Sequence, residues 1–88
     1  MFVNFYRSSA GAEVDLLLRW PGGGLWAIEL KRSLAPKLER GFHEACADLK
    51  PVRKILIYPG FEGYPMGHDV QALPLGQLCS ELQAADHS

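Results

Sequence analysis

The fold of this chain is decided by residues 13–31, which have the sequence EVDLLLRWPGGGLWAIELK. Two apolar-rich runs, residues 13–20 and 25–31, flank a proline and three glycines at positions 21–24. Proline cannot donate a hydrogen bond to a strand ladder and glycine tolerates positive φ, so the chain reverses direction here. The stretch therefore predicts a β-hairpin.

A strand before the hairpin and a helix after it are predicted next. Residues 2–7, FVNFYR, are aromatic and β-branched, which favours a strand. After Ser33 the apolar residues recur at helical spacing, at Leu38, Phe42, Cys46 and Leu49. Pro36 suits the first turn of this helix and Pro51 ends it.

The remaining residues predict two more strands and a closing helix. Residues 52–58 have a continuous apolar end, typical of an interior strand, and the intervening helix makes this strand parallel to the second hairpin strand. Residues 59–69 are rich in glycine and proline and predict a loop. Residues 70–73 predict a short edge strand, and residues 75–85 an amphipathic helix with Leu75, Leu78, Cys79 and Leu82 on one stripe.

The size and composition are those of a single domain over residues 1–88. The 88 residues are 48% hydrophobic and carry 9 Lys+Arg against 10 Asp+Glu. This length supports one modest core, and the composition excludes a disordered tail or a basic arm. The predicted fold is α/β, with a mixed central sheet of about five strands and the element order βββαββα.

The charges are unevenly distributed along the chain. Residues 31–54 hold seven basic and three acidic residues, a net charge of +4, whereas residues 55–88 hold four acids and no Lys or Arg. A concentrated positive patch can contact a polyanion even on a slightly acidic domain. The alternative is a solvated helix and its flanks.

Cysteine usage and hydropathy bear on the cellular compartment. Cys46 and Cys79 are 33 residues apart without metal-ligand spacing, and we expect both to be small core residues rather than a disulfide. The N-terminal residues lack the pattern of a signal peptide, and no apolar run approaches the roughly 20 residues of a membrane span. We therefore expect a cytoplasmic protein without membrane contact.

Alternation of side chains along the hairpin predicts one wholly apolar face and one charged face. In the first hairpin strand Glu13, Asp15, Leu17 and Arg19 share the charged face, opposite Val14, Leu16, Leu18 and Trp20. In the second hairpin strand Glu29 and Lys31 share a face with Leu25 and Ala27. With the turn centred on Gly22, paired residue numbers sum to 44, which sets Asp15 opposite Glu29 and Glu13 opposite Lys31.

Two carboxylates that face each other across a ladder repel, and a divalent cation would offset the repulsion. Mg²⁺ uses one or two carboxylates together with waters and substrate phosphate oxygens. Lys31 would then orient or activate a metal-bound water and stabilise charge on a phosphate. The alternative is an ordinary polar face, on which Glu13 pairs with Lys31 and Asp15 with Arg19 or solvent.

The acid on one hairpin strand, the acid-x-Lys on the next, and the helix and parallel strand that follow resemble the core of the PD-(D/E)XK nuclease superfamily. More specifically, the chain resembles the C-terminal nuclease-like domain of uncharacterised bacterial and archaeal AAA-type ATPases. The motifs that carry this resemblance are FYR at 5–7, GAEVD at 11–15, IELK at 28–31, ADLKP at 47–51, YPG at 58–60, YP at 64–65 and LPL at 73–75.

The resemblance implies that Asp15 and Glu29 are metal ligands for Mg²⁺ or Mn²⁺ and that Lys31 is the catalytic lysine. It also implies a core that lacks the N-terminal helix of many relatives, with no ATP site in this chain. The Gln and Tyr that some nucleases of the superfamily place on the helix after the acid-x-Lys are absent, and Glu39, Arg40 and His43 stand in that region. The proline that often precedes the first acid is Val14.

These observations predict a nuclease-like domain for Mg²⁺-dependent phosphodiester hydrolysis of nucleic acid. Glu13 and His43 are accessory candidates. The candidates for contacts with the nucleic-acid backbone are Lys37, Arg40, Lys50, Arg53 and Lys54. The alternative is a non-catalytic interaction or dimerisation module, which binds a second copy or a parent ATPase through an exposed sheet edge or a sheet face without its covering helix.

Overall fold

The predicted hairpin forms with the predicted register. In a computed structural model that describes residues 2–7, 11 and 13–86, its strands are β2 (Glu13–Arg19) and β3 (Leu25–Leu30). The antiparallel pairs run from Leu16 with Ile28 to Arg19 with Leu25, so the paired numbers sum to 44 as expected. Gly23 closes the turn: it adopts a φ of 95°, and its N–H donates to the Trp20 carbonyl at 2.9 Å.

The first strand, β1 (Phe2–Arg7), pairs antiparallel with β2, and this pairing contains a β-bulge. Asn4 pairs with Leu17, whereas Tyr6 pairs with Val14, so β2 has one extra residue opposite Phe5. A bulge of this kind breaks the strict alternation of side chains. The prediction that Val14 and Leu17 lie on opposite faces is therefore wrong, since both belong to one buried cluster.

A helix and a parallel strand follow the hairpin. The helix α1 (Arg40–Leu49) begins after Glu39 and ends where Lys50 adopts the left-handed conformation, with its N–H donating to the Cys46 carbonyl at 2.9 Å. Pro36 lies upstream of the helix, which corrects its predicted place in the first turn. The strand β4 (Arg53–Ile57) is parallel to β3, as predicted.

The sheet has six strands, so the prediction of about five is corrected. The additional strand, β5 (Tyr64–Gly67), forms in the predicted loop and pairs antiparallel with β6 (Val70–Leu73). The strand order β1-β2-β3-β4-β6-β5 makes β6 an interior strand, parallel to β4, rather than an edge. The proline and glycine within residues 64–67 disfavour a strand prediction, although an edge strand tolerates both.

The helices cover opposite faces of this mixed α/β sheet. Phe42 and Cys46 from α1 pack with Leu17 and Ala27, in what we call the α1 cluster. Leu17 and Ala27 lie on the hairpin face that was predicted to hold the charges, and Leu16, Leu18, Trp26 and Ile28 lie on the predicted apolar face. Leu17 and Ala27 are buried because α1 packs against them, and this packing exists only in the tertiary structure.

The second helix, α2 (Leu75–Asp86), packs through Leu78 and Leu82 against Ile28 and Ile55, in the α2 cluster. Cys79 is exposed, which corrects its predicted place in the core; Cys46 is buried, and both cysteines are free. Within the described residues, neither helix has the length and hydropathy to cross a membrane.

Candidate functional site

Two carboxylates meet where β2 approaches the end of β3. Asp15 lies in the bulged part of β2, and its Oδ2 accepts a hydrogen bond from the Leu30 N–H at 2.8 Å. The next pair in the observed register after Leu16 and Ile28 is Asp15 and Glu29, and a side-chain hydrogen bond joins their carboxyl groups. The structure thus brings together the two acids that the register placed opposite each other.

The Glu29 carboxyl group is buried in an unfavourable environment. The residue is 3% exposed, and its Oε2 has no hydrogen-bond partner within the described part of the chain. Burial raises the pKa of Glu29 to about 7; Lys31 opposes this shift, while the charge and hydrogen bond of Asp15 add to it. At neutral pH the carboxyl group is therefore close to its titration midpoint.

Lys31 lies two residues beyond Glu29 and contacts an acid that was not predicted as a partner. Its Nζ donates to Glu39 Oε1 at 2.8 Å, and its N–H donates to the Ile57 carbonyl at 2.8 Å. The hydrogen bond to Glu39 is the main reason that the pKa of Lys31 is raised, and it lowers the pKa of Glu39. Lys31 is therefore an ammonium donor at neutral pH rather than a proton acceptor.

Glu39 itself precedes the first residue of α1, and its side chain makes no capping hydrogen bond. From the sequence alone, Glu39 is only one of the residues in the region after the acid-x-Lys motif. No periodicity relates two residues eight positions apart across a turn, so its contact with Lys31 depends on where α1 packs.

The two accessory candidates are placed differently. Glu13 pairs with Arg7 in the β1–β2 ladder, and the described β2–β3 pairs stop at Leu16, short of the predicted pairing of Glu13 with Lys31. The His43 ring lies 4.8 Å from the His68 ring, centroid to centroid. Within the described residues no hydrogen bond joins His43 to Asp15 or Glu29.

The five basic candidates are dispersed. Lys37 and Arg40 lie near the start of α1, where Arg40 Nε donates to Glu44 Oε1 at 2.8 Å. Lys50 and Lys54 line a separate hollow of about 420 Å³ at the opposite end of α1.

Arg53 lies at the start of β4, three residues before the partner of Glu29 in the parallel ladder, a separation of roughly 10 Å along the strand. Its guanidinium donates to Gln71 Oε1 at 2.9 Å and Glu81 Oε1 at 3.0 Å. The structure therefore does not gather the five basic residues on one surface.

The facing carboxylates fit a hard divalent cation. Oxygen ligands suit Mg²⁺, and the unpartnered buried Oε2 of Glu29 is an acceptor that a cation would satisfy. The described residues contain no group of three or more His, Cys, Asp or Glu that could hold a metal. Mg²⁺ nevertheless often binds through only one or two protein carboxylates, because waters and phosphate oxygens complete its coordination.

Comparisons with known proteins identify a family without assigning a reaction. Residues 1–78 match the family model described as Domain of unknown function (DUF4143). Two curated relatives, the Uncharacterized protein Mb2031c of Mycobacterium bovis and the Uncharacterized protein Rv2008c of Mycobacterium tuberculosis, are each 31% identical over 74 residues.

These matches cover 84% of this chain and 17% of each relative, so the chain spans about a sixth of their length. No solved structure matches the chain. Because the family model covers all six strands of the sheet, α1 and the first turn of α2, the chain belongs to the DUF4143 family.

Proposed function

We propose that this domain is a PD-(D/E)XK-like nuclease that hydrolyses phosphodiester bonds of nucleic acid with Mg²⁺ or Mn²⁺. The observation that carries the proposal is the buried Glu29 carboxyl group, which faces Asp15 and has an oxygen without a partner. An arrangement that is unfavourable as it stands is typical of a site completed by a ligand. The antiparallel hairpin, followed by α1 and a parallel β4, agrees with the superfamily arrangement that the sequence resembles.

Each of the three central residues has a distinct role in this proposal. Asp15 and Glu29 hold the cation through their carboxylate oxygens. The cation, when bound, supplies Lewis-acid polarisation of the phosphate and lowers the pKa of an attacking water. Lys31 remains charged, donates hydrogen bonds to the phosphate and stabilises the negative charge that develops there. Glu39 holds the Lys31 ammonium in place.

The wider protein context is part of the same proposal. The curated relatives are several times longer than this chain. We propose that the domain serves as the C-terminal part of an AAA-type ATPase, as the sequence resemblance implies, with the ATP site in other parts of that protein.

A nicking assay on supercoiled plasmid tests the proposed reaction. We expect Mg²⁺-dependent nicking by the wild-type chain, and a decrease of at least about a hundredfold for Asp15→Asn, Glu29→Gln and Lys31→Ala. Glu62→Gln is the matched control, because Glu62 is an exposed loop residue. Nicking that survives all three site substitutions would contradict the proposal.

A titration with Mg²⁺, followed by backbone NMR, tests metal binding without reference to cleavage. We expect shifts centred on Asp15, Glu29 and Lys31, and their loss in the Glu29→Gln chain. If millimolar Mg²⁺ leaves these resonances unmoved, the carboxylate pair is not a metal site.

A second candidate function, an interaction module, is favoured by the exposed apolar side chains of β1. Phe2 is 68% and Val3 52% exposed on a strand at the edge of the sheet. Exposed edges of this kind can pair with another chain. Sedimentation velocity tests the homodimer: Val3→Lys should abolish self-association, whereas a wild-type chain that stays monomeric at high concentration contradicts it.

A further inference from the structure

A groove opens beside Asp15 and Lys31. Its volume is about 510 Å³, within the range of roughly 300–1,000 Å³ typical of ligand sites. It is lined by Phe5, Asp15, Leu16, Leu30, Lys31 and Arg32. Asp15 and Lys31 therefore belong both to the candidate site and to this groove.

The bulge in β2 places an aromatic ring at the groove. Phe5 lies opposite the extra residue of β2, and it is 81% exposed. Leu16 and Leu30 add apolar surface, and Leu30 is itself 48% exposed. An aromatic side chain with this exposure is available for contact with a ligand.

Positive charge lies along the same groove. Lys31 carries an ammonium, and the neighbouring Arg32 makes no ion pair within the described residues. An exposed aromatic ring next to two cations and the Asp15 carboxylate matches the chemistry of a nucleotide, which has a π-face, a phosphate and affinity for a metal.

We infer that the groove binds an unpaired nucleotide of single-stranded nucleic acid, with the base stacked on Phe5 and the adjacent phosphate held by Lys31 and Arg32. Duplex bases stack on each other and offer no free face to a side chain, whereas an unpaired base does. The inference rests on the proposed function, because it names the substrate class of the same site.

Fluorescence anisotropy with labelled oligo-dT and oligo-U tests this inference, with a blunt DNA duplex of the same length as the comparison. The measurement uses the Asp15→Asn/Glu29→Gln chain, in which the proposed metal ligands are removed and binding is read without cleavage. We expect the single strands to bind more tightly than the duplex. Phe5→Ala should weaken single-strand binding at least about fivefold, and Phe5→Trp should retain it.

Phe2→Ala is the matched control, because Phe2 is exposed on the same strand but three residues away, on the opposite face. We expect it to change binding less than about twofold. Equal losses for Phe5→Ala and Phe2→Ala, or tighter binding of the duplex, would overturn the inference. Self-association through Phe5 without oligonucleotide binding would also overturn it and would favour the interaction module.

The outcome for the nuclease is read separately. If the wild-type chain does not nick plasmid in Mg²⁺ but single-strand binding depends on Phe5, the proposed hydrolysis is contradicted and nucleotide binding in the groove is supported. If the wild-type chain nicks plasmid and Phe5→Ala leaves single-strand binding unchanged, nucleotide binding in the groove is contradicted and the proposed hydrolysis is supported. If the double variant does not fold, the fluorescence anisotropy titration is repeated with the wild-type chain in EDTA, which also prevents metal-dependent cleavage.

Discussion

Arg53 and Glu29 both have little exposure to solvent, and their environments are opposite in character. Arg53, at the start of β4, donates to Gln71 and Glu81 and lies 4.8 Å above the centre of the Trp26 ring. Glu29, near the end of β3, faces another acid and leaves one oxygen without a partner.

The difference separates a structural interaction from a candidate site. The Arg53 guanidinium lies within 3.0 Å of both Glu81 carboxylate oxygens, and this ion pair connects α2 to the sheet. The charge of Glu81 is therefore compensated by Arg53 without a ligand. Glu29 costs stability as it stands, and this cost is relieved by a proton or by a cation. The comparison predicts that substitutions at the two residues have opposite effects on the free energy of unfolding.

The largest effect on stability is expected for Arg53→Ala. The change leaves the partly buried Glu81 carboxylate unpaired and removes the contact with Trp26, so the free energy of unfolding should fall by about 2–4 kcal/mol in urea denaturation. Arg40→Ala is the control, because Arg40 and Glu44 form an exposed pair, and it should cost less than about 1 kcal/mol. Equal costs for the two substitutions would contradict the structural role of Arg53.

A smaller effect with a defined pH dependence is expected at Glu29. Its pKa is about 7 in the folded chain against 4.5 for an ordinary glutamate, so the folded state holds a proton that the unfolded state releases first. The stabilisation is fully present below about pH 4.5 and is lost as the pH rises through about 7. Without metal, wild-type stability should therefore fall by about 2–3 kcal/mol over this interval relative to Glu29→Gln.

Urea denaturation at acidic and mildly alkaline pH checks this difference, with Glu62→Gln as the control for loss of an exposed carboxylate. Mg²⁺ sharpens the comparison, since it should stabilise the wild-type chain more at mildly alkaline pH and should not stabilise Glu29→Gln. A wild-type stability that changes with pH in parallel with that of the variant would show that folding does not raise the pKa of Glu29.

The smallest effect is expected for Glu39→Gln, which removes the exposed partner of Lys31. Loss of the charged hydrogen bond should lower the pKa of Lys31 towards its ordinary value, because that bond is the main cause of its increase. The midpoint of thermal unfolding should stay unchanged, since Glu39 lies in solvent. NMR titration of the Lys31 ammonium measures the first effect, and an unmoved pKa would show that Glu39 does not hold Lys31 in solution.

Much of the fold and of the carboxylate pair was predictable from the sequence, because it depends on local signals. The proline and glycines at positions 21–24 determine where the hairpin turns, and the turn sets the register that leads to Asp15 and Glu29. The helical spacing that contains Phe42 and Cys46 predicts α1 for the same reason. These features need only a few residues that are close together in the chain.

Other features were not predictable because each depends on a partner distant in sequence. The bulge near Asp15 exists only in the pairing of β2 with β1, and β5 is a strand only because β6 pairs with it. The contact between Lys31 and Glu39 depends on the place where α1 packs.

The sequence by itself determined that the chain has an α/β fold with two acids facing each other across a hairpin, since turn chemistry and side-chain alternation act over short distances. The tertiary structure alone decided that α1 covers the face of the sheet holding Glu29, so that its carboxyl group is removed from water. The desolvation of a group depends on all the residues that pack around it, so it cannot be predicted from a short stretch of sequence.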